Sequence, residues 1–174
     1  RRSEDLRERG KIENRIPPHL LSFVVVTHMA ESFFEHDVAA PRDKNDGTWR
    51  GAVCDCLFNE ARGFFEKNVV FGNEAAGLHA TGGSNVQVVS NVFYEGESDA
   101  IVLERCGGFV ERNRLRDNSG HGISVVGQGS RPMVRYNDVL SCARCGIRYA
   151  DGAAGTGEYN VVMDNAVCGI FAES

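Results

Sequence analysis

FVERNRLRDNSGHGISV, residues 109–125, decides the fold. Asn113 ends a short apolar start, Leu115 stands two residues after it, and Ile123 and Val125 stand ten and twelve after it. The frame recurs on both sides, in FFEKNVVFGNEAAGLHA from Phe64, QVVSNVFYEGESDAIVL from Gln87, MVRYNDVLSCARCGIRY from Met133 and TGEYNVVMDNAVCGIFA from Thr156. The asparagines are Asn68, Asn91, Asn113, Asn137 and Asn160, separated by 23, 22, 24 and 23 residues by subtraction. A period of about 20 to 50 residues is the signature of stacked architectures.

Each column of the frame has its own chemistry. Two residues after the asparagine comes Val70, Phe93, Leu115, Val139 or Val162; ten after it comes Leu78, Ile101, Ile123, Ile147 or Ile170. Two further on are Ala80, Leu103, Val125, Tyr149 and Ala172, the same-face partners that strand alternation requires. Just before the Leu/Ile column lie Gly77, Ala100, Gly122, Gly146 and Gly169, small residues that suit a tight corner. No stretch has helical period long enough for a crossover helix, so each short strand must pair with its copy one period away. Stacking at about 4.8 Å gives parallel sheets along a coil, and stacked turn asparagines can pass amide hydrogen bonds along a ladder. The chain is therefore expected to be an all-β, right-handed parallel β-helix, with the asparagine column as scaffold.

Upstream, FFEHDVAAP from Phe33 matches FFEKNVVFG and puts Asp37 in the ladder slot, 31 residues before Asn68. The excess of about eight residues points to an insertion near 41–50, PRDKNDGTWR, with Gly51 to Cys54 resuming the strand. A still earlier copy is centred on Asn14, with Val24 to Val26 in the Leu/Ile column. The expectation is five well-matched coils and two weaker ones, in one β-helix domain over 11–174. Residues 1–10, RRSEDLRERG, read as a charged arm or cap.

A chain of 174 residues that is 42% hydrophobic can bury one elongated core. Net charge of -5 argues against a partner that presents a phosphate backbone, so no nucleic acid is expected. No apolar run approaches the roughly 18 residues of a membrane span. No signal-peptide pattern is visible, which slightly favours a cytoplasmic or organellar setting, and the start at Arg1 reads as though cut from something longer. The last copy leaves a strand edge open, so either more coils follow in a longer parent protein or another protein subunit, the expected class of partner, caps that end. Cys145 and Cys168 fill one slot in adjacent coils, a spacing that tolerates a disulfide, although buried free thiols are the commoner state. Cys142-x-x-Cys145 looks like half a zinc site without a second pair, and neither metal nor cofactor is expected.

With the repeats aligned, the chain resembles the β-helix family of polysaccharide-acting enzymes and their non-catalytic relatives. The nearer likeness is to the β-helix repeat domain of F-box ubiquitin-ligase subunits. GSRPMVRYNDV (129–139) matches one flavour of those repeats, while GGFVERNRL (107–115) and GTGEYNVV (155–162) match the other. That resemblance implies a non-catalytic module that recognises a protein. Polygalacturonases of this fold offer a second likeness, carrying an Asp pair, a GHG and a G-φ-R-φ-K on successive coils. Here Ser98-Asp99, Gly120-His121-Gly122 and Gly146-Ile147-Arg148 stand in those places, which would make Asp99, His121 and Arg148 catalytic and carbohydrate the ligand. The departures are Ser98 for the first Asp and Ala150 for the Lys. Inverting hydrolysis needs two carboxylates, and this cluster supplies one. For a binding role the candidates are Arg112, Arg114 and Arg116 of RNRLR, which could meet an acidic partner, and Trp49, read as a loop contact anchor.

Overall fold

The computed structural model describes residues 24–27, 49–50, 55–57 and 62–173, and it is a parallel β-solenoid. The first coil contributes strands β1 (Val24–Thr27), β2 (Trp49–Arg50) and β3 (Asp55–Leu57). The second contributes β4 (Arg62–Glu66), β5 (Val69–Phe71) and β6 (Leu78–Ala80), and the third β7 (Asn85–Val89), β8 (Val92–Tyr94) and β9 (Ile101–Glu104). The fourth has β10 (Gly107–Glu111), β11 (Arg114–Arg116) and β12 (Ile123–Val126), and the fifth β13 (Met133–Arg135), β14 (Asp138–Leu140) and β15 (Cys145–Ala150). The sixth has β16 (Thr156–Glu158), β17 (Val161–Met163) and β18 (Cys168–Ala172). Every third strand pairs, so three six-stranded parallel sheets run the length of the coil.

The inward columns fill the interior. Val88, Val110 and Val134 from the first sheet meet Phe93, Leu115 and Val139 from the second and Ile101, Ile123 and Ile147 from the third, all essentially inaccessible. Registers match the repeat position by position, as in Ile101↔Ile123↔Ile147↔Ile170 and Phe93↔Leu115↔Val139↔Val162.

The sheets meet at bends made by one left-handed residue each. Lys67, Ser90, Arg112, Tyr136 and Tyr159, each just before the ladder asparagine, have φ of 54–57°. Gly72, Glu95, Asp117, Ser141 and Asp164 do the same after the second sheet. Such φ values cost a side-chain-bearing residue about 1–2 kcal/mol each, so something must hold them. The asparagines do. Oδ1 of Asn91, Asn113, Asn137 and Asn160 accepts the backbone N–H of the preceding coil's asparagine at 2.9–3.0 Å and its Nδ2–H at 2.9–3.1 Å.

Two expectations need correction. The small-residue column does exclude a Cβ, as expected of a tight corner, but not through its backbone conformation; none of Gly77, Gly122, Gly146 or Gly169 has positive φ. Its cause is packing: a Cβ on Gly122 would lie 2.2 Å from Val139 Cγ1, and one on Gly146 2.4 Å from Val162 Cγ1. In the first coil, the partner of Phe64 is Val25, not Phe33, eight residues upstream of the expected register. Val24 to Val26 therefore belong to the first sheet rather than to the Leu/Ile column. The additional chain falls at the ladder corner, where residues 28–48 intervene between β1 and β2 and other coils have two (67–68). Of the 41–50 insertion, residues 49 and 50 form β2. Asn14, Asp37, residues 51–54 and the arm at 1–10 lie outside the described residues.

Candidate functional site

Asp99, His121, Cys145 and Cys168 occupy one slot on successive coils, eight residues after their asparagines, at the entry to the third sheet. The backbone N–H of His121 donates to Asp99 Oδ1 at 2.7 Å. The backbone N–H of Cys145 donates to His121 Nδ1 at 3.2 Å. Cys168 in turn gives a backbone hydrogen bond to the Cys145 thiol. Each side chain thus accepts the N–H of the coil that follows, the reverse of the asparagine ladder. Gly120 makes room for this: its Cβ would stand 2.2 Å from Asp99 Oδ1 and 2.4 Å from the Asp99 nitrogen. Both glycines of GHG are packing requirements.

An imidazole that accepts at Nδ1 carries its proton on Nε2. Burial lowers the His121 pKa from its ordinary 6.5; Asp99 opposes this, while Arg148 and Arg144 reinforce it. Arg148 lies between Ser124 and Phe171 in the third sheet, one residue past inward-facing Ile147, so it faces outward. The structure does bring Asp99, His121 and Arg148 to one side of the coil. Among the described residues it gives Asp99 no second carboxylate in the same column, because the coil before supplies Ala76.

The RNRLR arginines line the outside of the bend between the first two sheets. Arg112 is an exposed corner residue, 2.5 Å from Glu111 Oε1 and 5.9 Å from the Tyr136 ring centre. Arg114 and Arg116 straddle buried Leu115 and project outward. Arg116 lies 4.6 Å above the Tyr94 ring and 2.6 Å from Asp117 Oδ2. Arg114 has no ion pair among the described residues. Trp49 holds the register of Val70 in β2, within the column of Phe93 and Leu115, rather than a loop position.

The two motif flavours have a structural meaning. Arg135 of VRYN donates through Nε and an Nη to Glu111 Oε2 of VERN at 3.2 and 3.1 Å. Glu-x-Asn and Arg-x-Asn coils are therefore electrostatic complements stacked on one another.

The sequence reading passed over a second partial ladder. Asn118 Oδ1 accepts the Gly96 N–H at 3.1 Å and Asn165 Oδ1 the Cys142 N–H at 3.0 Å, five residues after the main ladder. Asn73, Gly96, Asn118, Cys142 and Asn165 share that slot, a periodicity that would have shown it. Also passed over were the stacked ring pairs on the outer surface, Phe71–Tyr94 at 5.1 Å and Tyr136–Tyr159 at 5.0 Å. Cys106, Cys142, Cys145 and Cys168 are free thiols; burial pushes Cys106 up to about 11 and raises Cys142. Among the described residues no group of three or more His, Cys, Asp or Glu could hold a metal ion, and no helix is long and apolar enough to cross a membrane.

Three parallel sheets wound into one coil, with laddered asparagines at the bend, define a β-helix protein. A family profile described as "Right handed beta helix region" matches residues 43–132, 90 of the 174 residues, and the chain belongs to that family. Among solved structures the chain is similar to the periplasmic alginate epimerase AlgG, with a TM-score of 0.51 and 15% identity. The match covers 70% of this chain but only 35% of the epimerase, and at that identity the likeness is one of fold. No curated protein sequence matches.

Proposed function

We propose that this chain is a non-catalytic β-helix module that binds a protein partner through its rigid outer lanes, as part of a larger assembly. One observation carries the reading. Asp99 Oδ1 and His121 Nδ1 accept backbone N–H groups of the next coil, so the pair that could have been catalytic serves as scaffold. Protonating Nδ1 would break a coil-to-coil hydrogen bond, which ill suits an acid–base residue. The likeness of 107–115, 129–139 and 155–162 to F-box substrate-receptor repeats favours a protein as the partner. Arg112, Arg114 and Arg116, with the neighbouring tyrosines, supply the residue types that dominate interface energetics.

A second reading is a carbohydrate-acting or carbohydrate-binding module. Its support is the fold likeness to an alginate epimerase, together with Arg144 and Arg148 beside His121, which could hold a sugar carboxylate.

The readings separate in one set of assays. Alginate and polygalacturonate are incubated with the native chain, Asp99→Asn and His121→Asn, each of which keeps an acceptor oxygen at the ladder position. We expect no cleavage or epimerisation by any of them. Turnover by the native chain that both variants lose would establish the enzyme reading instead. Quantitative cross-linking in the native assembly should find protein neighbours at Arg114 that Arg112→Glu/Arg114→Glu/Arg116→Glu loses. Unchanged cross-links in the triple variant would remove the arginines, and unchanged partner affinity in Trp49→Ala would remove Trp49.

A further inference from the structure

We propose that Cys145 and Cys168 form a redox-active dithiol, a modification site that closes into a disulfide between the last two coils by exchange with a low-molecular-weight disulfide. The geometry supplies what closure needs. The two cysteines are direct register partners in β15 and β18, and parallel strands place such partners about 4.8 Å apart, inside the Cα window of about 4.4–6.8 Å for disulfides. The Cys145 thiol also interacts with Cys168, through both the thiol and the backbone of that residue. Both are unoxidised here.

The pair is asymmetric in a way that orders the chemistry. Cys145 is buried, while Cys168 is partly exposed on the outermost described coil, where its neighbour Ile170 is 61% exposed. Burial, then the hydrogen bond and charge of Cys168, push the Cys145 thiol up to about 11. Cys168 is therefore the entry sulfur. Its thiolate attacks one sulfur of the added disulfide, breaks the S–S bond and releases one thiolate, leaving a mixed disulfide on Cys168. The Cys145 thiolate then attacks Cys168 Sγ, forms the cross-coil bond and expels the second small thiolate. The protons lost by the two protein thiols reappear on the two released thiols, and oxidation of the dithiol equals reduction of the reagent.

The chain's own cleavage sites make the test clean. Trypsin places Cys145 in 145–148, Cys168 in 149–174, Cys142 in 136–144 and Cys106 in 106–112. Native protein is incubated with oxidised glutathione, trapped in acid with an alkylating agent, unfolded and mapped without reduction. The expected product joins 145–148 to 149–174, and it disappears in Cys168→Ser with Cys145 left as a free thiol. Glutathione stalled on 149–174, linkage to 136–144, or both peptides recovered alkylated would each overturn the proposal. Amide exchange across β18 should also slow about tenfold or more in the oxidised chain relative to the reduced one. An unchanged rate would mean that no bond spans the two coils.

Discussion

His121 holds a backbone N–H with the nitrogen that titrates, and this links the last coils to pH. Its folded pKa lies below the ordinary 6.5, mainly through burial and against the pull of Asp99, with Arg148 and Arg144 adding to the depression. The unfolded chain therefore binds a proton first as pH falls. The contribution of His121 to stability is fully present above about 6.5 and is lost as pH drops through the lower folded value. His121→Asn replaces Nδ1 by an Oδ1 that accepts the same Cys145 N–H and does not titrate. Urea midpoints measured from pH 8 to pH 5 should fall less for the variant than for the native chain. Parallel curves for the two proteins would show that the imidazole does not titrate on unfolding. Asp99, His121 and Cys145 perform one task with three chemistries, which is why the column read as a possible catalytic cluster. A repeat comparison detects a shared residue type, and here only the hydrogen-bond role is shared.

At the scale of the element, each coil is fixed by which positions admit a Cβ. Gly146 and Gly169 are copies of one another, yet their surroundings differ. A Cβ on Gly146 would meet Val162 Cγ1 at 2.4 Å, Asn165 Nδ2 at 2.7 Å and the Gly169 carbonyl at 2.8 Å; on Gly169 the nearest atom is Val162 Cγ1 at 3.6 Å. Gly146→Ala should destabilise by about 1–3 kcal/mol through overpacking. Gly169→Ala should be neutral or stabilise by up to about 1 kcal/mol, because alanine restricts the unfolded chain. Equal effects in denaturant melts would refute the packing account. The column's composition was legible in the sequence while its cause was not, since a bend and a close side-chain approach both select small residues. The strands themselves were legible because Leu115, Ile123 and their copies repeat at one spacing. The first coil was not: FFEHDVAAP imitates FFEKNVVFG in sequence, but the strand that pairs with β4 is VVVT. Local likeness cannot weigh the 21 residues, 28–48, that stand in sequence between β1 and β2.

Among the described residues the molecule is one-dimensional, each coil pairing with the coils before and after it, so stability should depend on where along the axis a bond is removed. Asn113 accepts the N–H and Nδ2–H of Asn91 and donates to Asn137 Oδ1 through its own N–H and Nδ2–H, with a further bond from Nδ2 to the Val88 carbonyl. Asn160 accepts the same pair of bonds from Asn137 and donates through Nδ2 to the Val134 carbonyl, all toward one neighbour. Asn113→Ala therefore strands donors on one side and acceptors on the other, beside a left-handed Arg112 that the ladder helps to hold. An unsatisfied buried group costs about 1–3 kcal/mol, so the loss at Asn113 should be on the order of 3 kcal/mol and that at Asn160 about half as much. Unfolding curves decide between this picture and a globally averaged one. A solenoid predicts that the central substitution also exposes amides of β8 and β14 to exchange, while the terminal one leaves β8 protected. Matching losses at the two sites, with exchange raised uniformly along the chain, would mean that the coils do not couple only to their neighbours.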